Sequence, residues 1–245
     1  METTLFPTDI QPGFSFPQTL TEKYRPKAIS AFLGLDKPKA FYRNLLAHPR
    51  PSATLCIGPP GSGKTSMALA FARELPCSLI HVAAQKATVD EFDRIAERTC
   101  YYPARGQFWV VLVDEADCMT PKAQLQLCSK LDGASGLRPT FGGGFEQGAL
   151  ANVIWIFTCN GRGPRGTEPP PGFEDRFLSR CFHLGFSTYG LGPKLADFIR
   201  LIWDRETDSL DGEFLPDFAR IVKDCNNSVR DSLNAIELRI AEVQA

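Results

Sequence analysis

The chain has 245 residues and a mass of 27.1 kDa, is 43% hydrophobic and 22% charged, and its 27 basic and 28 acidic side chains leave a net charge of −1. This composition excludes a disordered, collagen-like or coiled-coil chain, because enough apolar surface exists to offset the entropy of folding, and near-neutrality excludes an undifferentiated basic nucleic-acid coat. No run approaches the ~18 consecutive apolar residues of a membrane helix, and prolines and charges occupy the N-terminal region where a signal peptide places an apolar stretch, so no membrane partner and a cytoplasmic location are expected.

In chain order, 53–57 reads as a buried strand, 64–75 as a helix and 78–84 as a second strand. Thr88 and Glu91 form a capping box ahead of Phe92, Ile95, Ala96 and Thr99 on one helical face. Residues 108–113 are a solid apolar strand, Thr120-Pro121 opens a helix ending near Gly133, and 152–159 and 181–186 supply two more strands. Continuous apolar strands separated by helices imply a parallel sheet covered on both faces. From Pro193 the pattern is helical: Leu195, Phe198, Ile199 and Ile202, then 214–225, then Val229, Leu233, Ile236, Ile240 and Val243 after an Asn227-Ser228 cap. Charge divides likewise, with a balance of +3 over 1–187 and −4 over 188–245, so a core and a small three-helix lid are expected over those ranges. Two segments, the six-glycine stretch 133–150 and residues 161–172 with four glycines and four prolines, read as mobile loops.

Cys56, Cys77, Cys100, Cys118, Cys128, Cys159, Cys181 and Cys225 never form a CxxC, and most lie in apolar runs, as small hydrophobes do. His48, His81 and His183 offer no ligand pair and read as structural.

Gly58-Pro-Pro-Gly-Ser-Gly-Lys64-Thr65 fits GxxxxGK[ST] between a strand and a helix. Glycines let successive backbone N–H groups turn toward a polyphosphate, and the helix N-terminus adds its positive end. Lys64 then reaches the β and γ phosphates while the Thr65 hydroxyl binds Mg²⁺. Fifty positions later, Asp114 and Glu115 follow the apolar strand, Asp114 as a second Mg²⁺ ligand and Glu115 as general base for water. Asn160 ends the next apolar strand, where an amide can orient that water.

Taken in order, these residues resemble AAA+ ATPases and, within them, clamp-loader subunits: replication factor C small subunits, bacterial gamma and delta-prime subunits and their phage counterparts. Thr21-Glu-Lys-Tyr-Arg-Pro26 looks like the segment that packs over adenine in that family, Gly58–Thr65 like its P-loop, and Asp114-Glu-Ala-Asp117 like its Walker B motif. Thr158-Cys-Asn160 is similar to sensor 1, Ser179-Arg180-Cys181 to the clamp-loader SRC motif, and Val229-Arg230-Asp-Ser-Leu-Asn234 to sensor 2. The resemblance implies an α/β, three-layer P-loop fold with a C-terminal helical lid, and ATP and Mg²⁺ as cofactors. It further implies nucleotide contacts from Tyr24, Arg25, Pro26, Gly58, Pro59, Pro60, Gly61, Ser62, Gly63, Lys64, Thr65, Ser66, Asn160 and Arg230. Catalytic roles fall to Lys64, Glu115, Asn160, Arg230 in cis and Arg180 in trans, with Arg176 a competing finger, because a permanently charged planar fork suits charge building on phosphoryl oxygens.

Implied partners are other AAA+ subunits in a ring or arc, a sliding clamp and primer-template DNA. Lys86, Arg105, Lys122, Arg138, Arg162 and Arg165 are the candidate phosphate contacts. The sequence ends after the lid pattern without the family's helical collar, so another interface or a separate subunit is expected to hold the assembly. Another AAA+ remodeller, and a nucleotide-gated module with little turnover, are the alternative readings.

Overall fold

The computed structural model describes residues 18–132, 137–139, 145–147, 152–207 and 215–244. Its strands are β1 (Ser52–Gly58), β2 (Cys77–Ala83), β3 (Phe108–Asp114), β4 (Leu137–Pro139), β5 (Phe145–Gln147), β6 (Val153–Asn160) and β7 (Phe182–Gly185). Five of them form a parallel sheet in the order β2-β3-β6-β1-β7, while β4 and β5 pair as a separate antiparallel ribbon. The helices are α1 (Leu20–Lys23), α2 (Asp36–Ala47), α3 (Lys64–Glu74), α4 (Val89–Thr99), α5 (Pro121–Leu131), α6 (Asp175–Leu178), α7 (Gly192–Glu206), α8 (Phe218–Asp224) and α9 (Val229–Gln244).

The central strands are apolar at nearly every position because both faces are covered, and successive side chains enter different cores. Leu55, Ile57, Val111, Val113, Trp155 and Phe157 pack with Phe92, Ile95, Ala123, Leu127 and Phe177 from α4, α5 and α6. Cys56, Val110, Leu112, Ile154 and Ile156 pack on the opposite face with Tyr42, Leu45, Met67 and Phe71 from α2 and α3. The edge strands β2 and β7 are only partly buried, as their mixed sequences require.

A third cluster joins α7, α8 and α9 through Leu195, Ile199, Ile202, Trp203, Phe218, Ile221, Leu233, Ile236 and Ile240. Leu20 from α1 belongs to this cluster, so the start of the described chain packs with the C-terminal helices and not with the sheet. The helix expected over 214–225 begins at Phe218, because the Asp217 side chain accepts from Arg220 N and ends the helix there; residue 214 lies outside the described residues.

Several local expectations change. Thr88 caps α4 by accepting from Glu91 N at 3.3 Å, but the Glu91 carboxylate turns to Arg94 at 3.5 Å, so the box is closed from one side only. Within 161–172, Arg162 and Glu168 exchange both backbone hydrogen bonds and close a short antiparallel turn at the start of the loop. Within 133–150, β4 and β5 pair, and the remaining residues lie outside those described. Arg176 lies within α6, which ends at Leu178, while Arg180 follows it and its guanidinium folds back onto the Arg176 carbonyl at 2.6 Å.

Candidate active site

Parallel register sets the site. Gly58 lies beside Asn160 across β1 and β6, Val113 beside Phe157 across β3 and β6, and Ala83 beside Asp114 across β2 and β3, so the C-terminal strand ends meet at one edge of the sheet. Ligands bind at this edge in open α/β folds. Between β1 and α3 the chain turns through Gly61 at φ +72° and Gly63 at φ +92°, backbone that residues with a Cβ rarely adopt. A Cβ on Gly61 would also stand 2.4 Å from Ser228 Oγ, so the turn and the start of α9 approach as closely as they do only because Gly61 has no side chain.

Lys64, the first residue of α3, is buried and donates from Nζ to the carbonyls of Gly58 and Pro59, each at 2.9 Å, and to Asn160 Oδ1 at 3.4 Å. Burial draws its ammonium below the ordinary lysine range. Thr65 Oγ1 donates to Asp114 Oδ1 at 2.8 Å in the wall of a cavity of about 150 Å³ whose lining includes Pro60, Gly61, Gly63, Lys64, Thr65 and Ser66, the two acids, Asn160 and Arg230. One hydroxyl and one carboxylate facing a backbone cradle fit Mg²⁺, which takes its other oxygens from phosphates and water. Gly58 and Pro59 do not line this cavity. Their carbonyls hold Lys64, and a Cβ on Gly58 would collide with the Phe186 carbonyl at 2.6 Å.

Thr158, Gln85 and His81 complete the acid side. Thr158 Oγ1 donates to Asp114 Oδ1 and accepts from Glu115 N at 3.1 Å. Glu115 stands in left-handed backbone at φ 58°, which bends its side chain away from the strand direction, and Gln85 Nε2 donates to its Oε2 at 3.0 Å. His81 Nε2 lies 3.9 Å from Asp114 Oδ2, so of the three histidines this one adjoins the site. Thr158 was legible as the neighbour of Asn160; Gln85 and His81 lie on or just after β2 and carried no motif.

A second cavity of about 430 Å³ opens beside the first. Tyr24, Arg25 and Pro26 form part of its wall together with Phe32, Leu35, Gly61, Ser62, Gly63, Ser66, Phe198 and Leu233. Arg230, exposed in the first turn of α9, lines both cavities, and Ser228 Oγ caps that helix by accepting from Asp231 N at 3.3 Å. Ser62 Oγ is buried without a hydrogen-bond partner and lies against Gly58, where a Cβ would stand 2.8 Å from it. An apolar-walled chamber joined to a small polar one matches the two halves of a nucleotide.

Arg180 lines neither cavity. It forms a two-pronged ion pair with Asp132 at 2.6 and 2.8 Å, which holds the Asp132 carboxyl below the usual carboxylate range; Arg176 is exposed. Burial pushes the thiols of Cys56, Cys159 and Cys181 up to about 12, whereas Cys118 is exposed, an exception to the apolar-run reading. Among the loop cations, Arg162 closes the 161–168 turn through its backbone, Arg165 lies 5.9 Å over the Tyr189 ring, and Arg105 N donates to Ser78. The Arg138 side chain is outside the described residues.

Residues 54–182 match the family described as ATPase family associated with various cellular activities (AAA), more than half of the chain, and the chain belongs to that family. It is a P-loop protein, and nucleotide binding goes with that membership. Replication factor C small subunit 2 of Pyrobaculum aerophilum is 35% identical over 77% of this chain and 54% of its own length. Replication factor C subunit 4 of Caenorhabditis elegans is 30% identical over 43% of this chain and 36% of its own length. This chain thus spans about half or less of the curated relatives it matches. The solved Thermotoga maritima RuvB is similar at a TM-score of 0.61, with 18% identity, covering 90% of this chain and 72% of that one, a likeness of fold. Among the described residues no helix is long and apolar enough to cross a membrane.

Proposed function

We propose that this chain binds ATP with Mg²⁺ and hydrolyses it within an assembly of AAA+ subunits, in a clamp-loader-like role in DNA replication, with a sliding clamp and primer-template DNA as partners and the cytoplasm as location. The observation that carries this reading is the meeting of Lys64, Thr65, Asp114, Glu115, Asn160 and Arg230 around one small cavity beside an apolar-walled one. The similarity to replication factor C subunits supplies the replication part. The working units are a core over 1–187 and a lid over 188–245, with the segment around Leu20 travelling with the lid.

In this reading, Lys64 and the N–H groups of the turn bind the β and γ phosphates, and Thr65 and Asp114 hold the metal, which when bound supplies charge neutralisation of the phosphate oxygens. Glu115 accepts the proton of the attacking water, with Gln85 fixing its carboxylate and Asn160 orienting the water. Arg230 reaches the γ phosphate from the lid of the same chain. Arg180 serves a neighbouring subunit's phosphates, and its tether to Asp132 supports this by keeping the guanidinium out of its own chain's cavity.

Mixing Glu115→Gln protein with Arg180→Ala protein tests the arrangement. Each variant alone should lose about 100-fold or more in phosphate release, and the mixture should regain turnover, because an Arg180 from the first can serve an intact Glu115 in the second. Full turnover of Arg180→Ala alone would overturn the trans role, absence of turnover in the unaltered protein with DNA and partners would overturn hydrolysis, and co-purification with a transposase or protease in place of a clamp would overturn replication.

A further inference from the structure

Between α1 and α2 the chain runs as a strap from the lid to the core, and the apolar-walled cavity lies between its two anchorages. At the lid end, Leu20 N donates to Glu237 Oε2 at 3.2 Å and Thr21 Oγ1 to Asn234 Oδ1 at 2.9 Å, while Leu20 fills the lid's apolar cluster. Lys23 Nζ and Tyr24 Oη both donate to the Glu206 carboxylate, to Oε2 at 2.8 Å and to Oε1, and the Tyr24 ring meets Phe198 of α7 edge-on at 6.4 Å. At the core end, Ile29 N donates to Glu74 Oε1 at 2.6 Å on α3, Lys39 Nζ to the Phe32 carbonyl at 3.2 Å, and Phe32 faces Gly63 of the P-loop so closely that a Cβ there would stand 3.3 Å away. Tyr24, at the lid anchorage, and Arg25, Pro26 and Lys27, between the two, form cavity wall.

Glu206 does not line that cavity; it borders a separate surface hollow with Leu20, Glu237, Ile240 and Ala241. With 18% of its side chain exposed, it collects two donors from the strap, and charge-assisted bonds of that kind are stronger and better aimed than neutral ones. Removing the carboxylate leaves the Tyr24 hydroxyl and the Lys23 ammonium without this acceptor and frees the stretch of strap that follows them.

We propose that Glu206 is a positioning residue for the base and ribose half of the bound nucleotide: by clamping Lys23 and Tyr24 to α7 it makes strap and lid one body, so that the 24–27 wall is in place only when the lid is. This rests on the ATP-site reading above. The phosphate half is built from the P-loop, the strand ends and Arg230 of α9, and no strap residue lines it, so it does not depend on the clamp.

The test compares the affinity of Glu206→Ala for Mg²⁺-ATP with its affinity for inorganic tripolyphosphate, which has no base, the latter read by displacement of bound ATP. ATP binding should weaken about tenfold, tripolyphosphate binding should stay within about twofold, and Glu206→Gln should fall between the unaltered protein and Glu206→Ala. Tyr24→Phe added to Glu206→Ala should weaken ATP by less than the two single effects together, because both remove one contact. Equal weakening of ATP and tripolyphosphate, unchanged ATP affinity in Glu206→Ala, or full additivity with Tyr24→Phe would overturn the proposal. Glu206→Gln and Tyr24→Phe keep the shape of the contact and decide the matter if Glu206→Ala unfolds. Failure of the unaltered protein to bind ATP would instead bring down the nucleotide-site reading itself.

Discussion

Asp114 and Glu115 are adjacent in the chain yet do different work, and Thr158 is what separates them. Its hydroxyl donates to Asp114 and accepts from Glu115 N, so one side chain on β6 fixes the carboxylate facing Thr65 and also holds the left-handed turn that redirects Glu115. A non-glycine residue in that backbone region carries a cost of about 1 kcal/mol or more, which the Thr158 contact helps to offset. Thr158→Val keeps the shape and removes the hydroxyl, stranding the Glu115 N–H. We expect a loss of about 1–3 kcal/mol in urea-unfolding free energy, together with a fall in turnover larger than any change in ATP affinity, since the turn that aims Glu115 would relax. Equal stability in the two proteins would show that the hydroxyl is dispensable.

At the scale of elements, the connection between α5 and α6 hangs on Gln124. It is 1% exposed, donates to the carbonyls of Met119 at 3.2 Å and Gly172 at 3.0 Å, and accepts from Glu174 N at 2.8 Å. This amide ties the loop before α6 to α5, whose C-terminal Asp132 in turn holds Arg180. Gln124→Ala strands three backbone groups; a loss of about 2–3 kcal/mol is expected, visible as a lowered thermal midpoint, and Arg180-dependent turnover should fall further than ATP binding.

The strap and α7 form the other pairing at this scale. Lys23 first, and Tyr24 second, hold the Glu206 carboxyl below its ordinary value of 4.5. On acidification the unfolded chain takes up that proton first, so the stabilisation is complete above about pH 4.5 and is lost as pH falls from there through the folded value. In Glu206→Gln the acid limb of thermal midpoint against pH should be shallower below 4.5, with the two curves parallel near neutrality; identical acid limbs would show that the pair contributes nothing to stability.

For the whole molecule, the two cavities receive residues from the strap, the P-loop, the ends of β3 and β6 and the lid, but not Arg180. A lone chain should therefore bind ATP with an affinity independent of protein concentration, while turnover per chain rises with concentration by up to about 10³-fold, the usual contribution of an arginine finger. Phosphate release and equilibrium binding measured on the same dilution series separate the two, and concentration-independent turnover would mean that every catalytic group lies within one chain.

What could be read from the sequence was what depends on neighbours in the chain. The apolar runs at β1, β3 and β6 announced buried parallel strands, the spacing from Gly58 to Thr65 announced the phosphate turn, and Asp114, Glu115 and Asn160 each stood at the end of such a run. These signals are local because a strand covered on both faces needs continuous apolar residues, and a phosphate turn needs glycines at fixed offsets. The roles of Thr158, Gln85 and His81 depended on the strand order β2-β3-β6-β1-β7, which brings together residues from three separate strands. The attachment of Leu20, Lys23 and Tyr24 to α7 and α9 spans some 180 to 220 positions, as with Leu20 and Glu237, 217 apart. No periodicity encodes such a pairing. It arises because the lid's apolar cluster leaves room for one more side chain and a carboxylate at its rim draws the strap's cation, and only tertiary packing decides which segment supplies them.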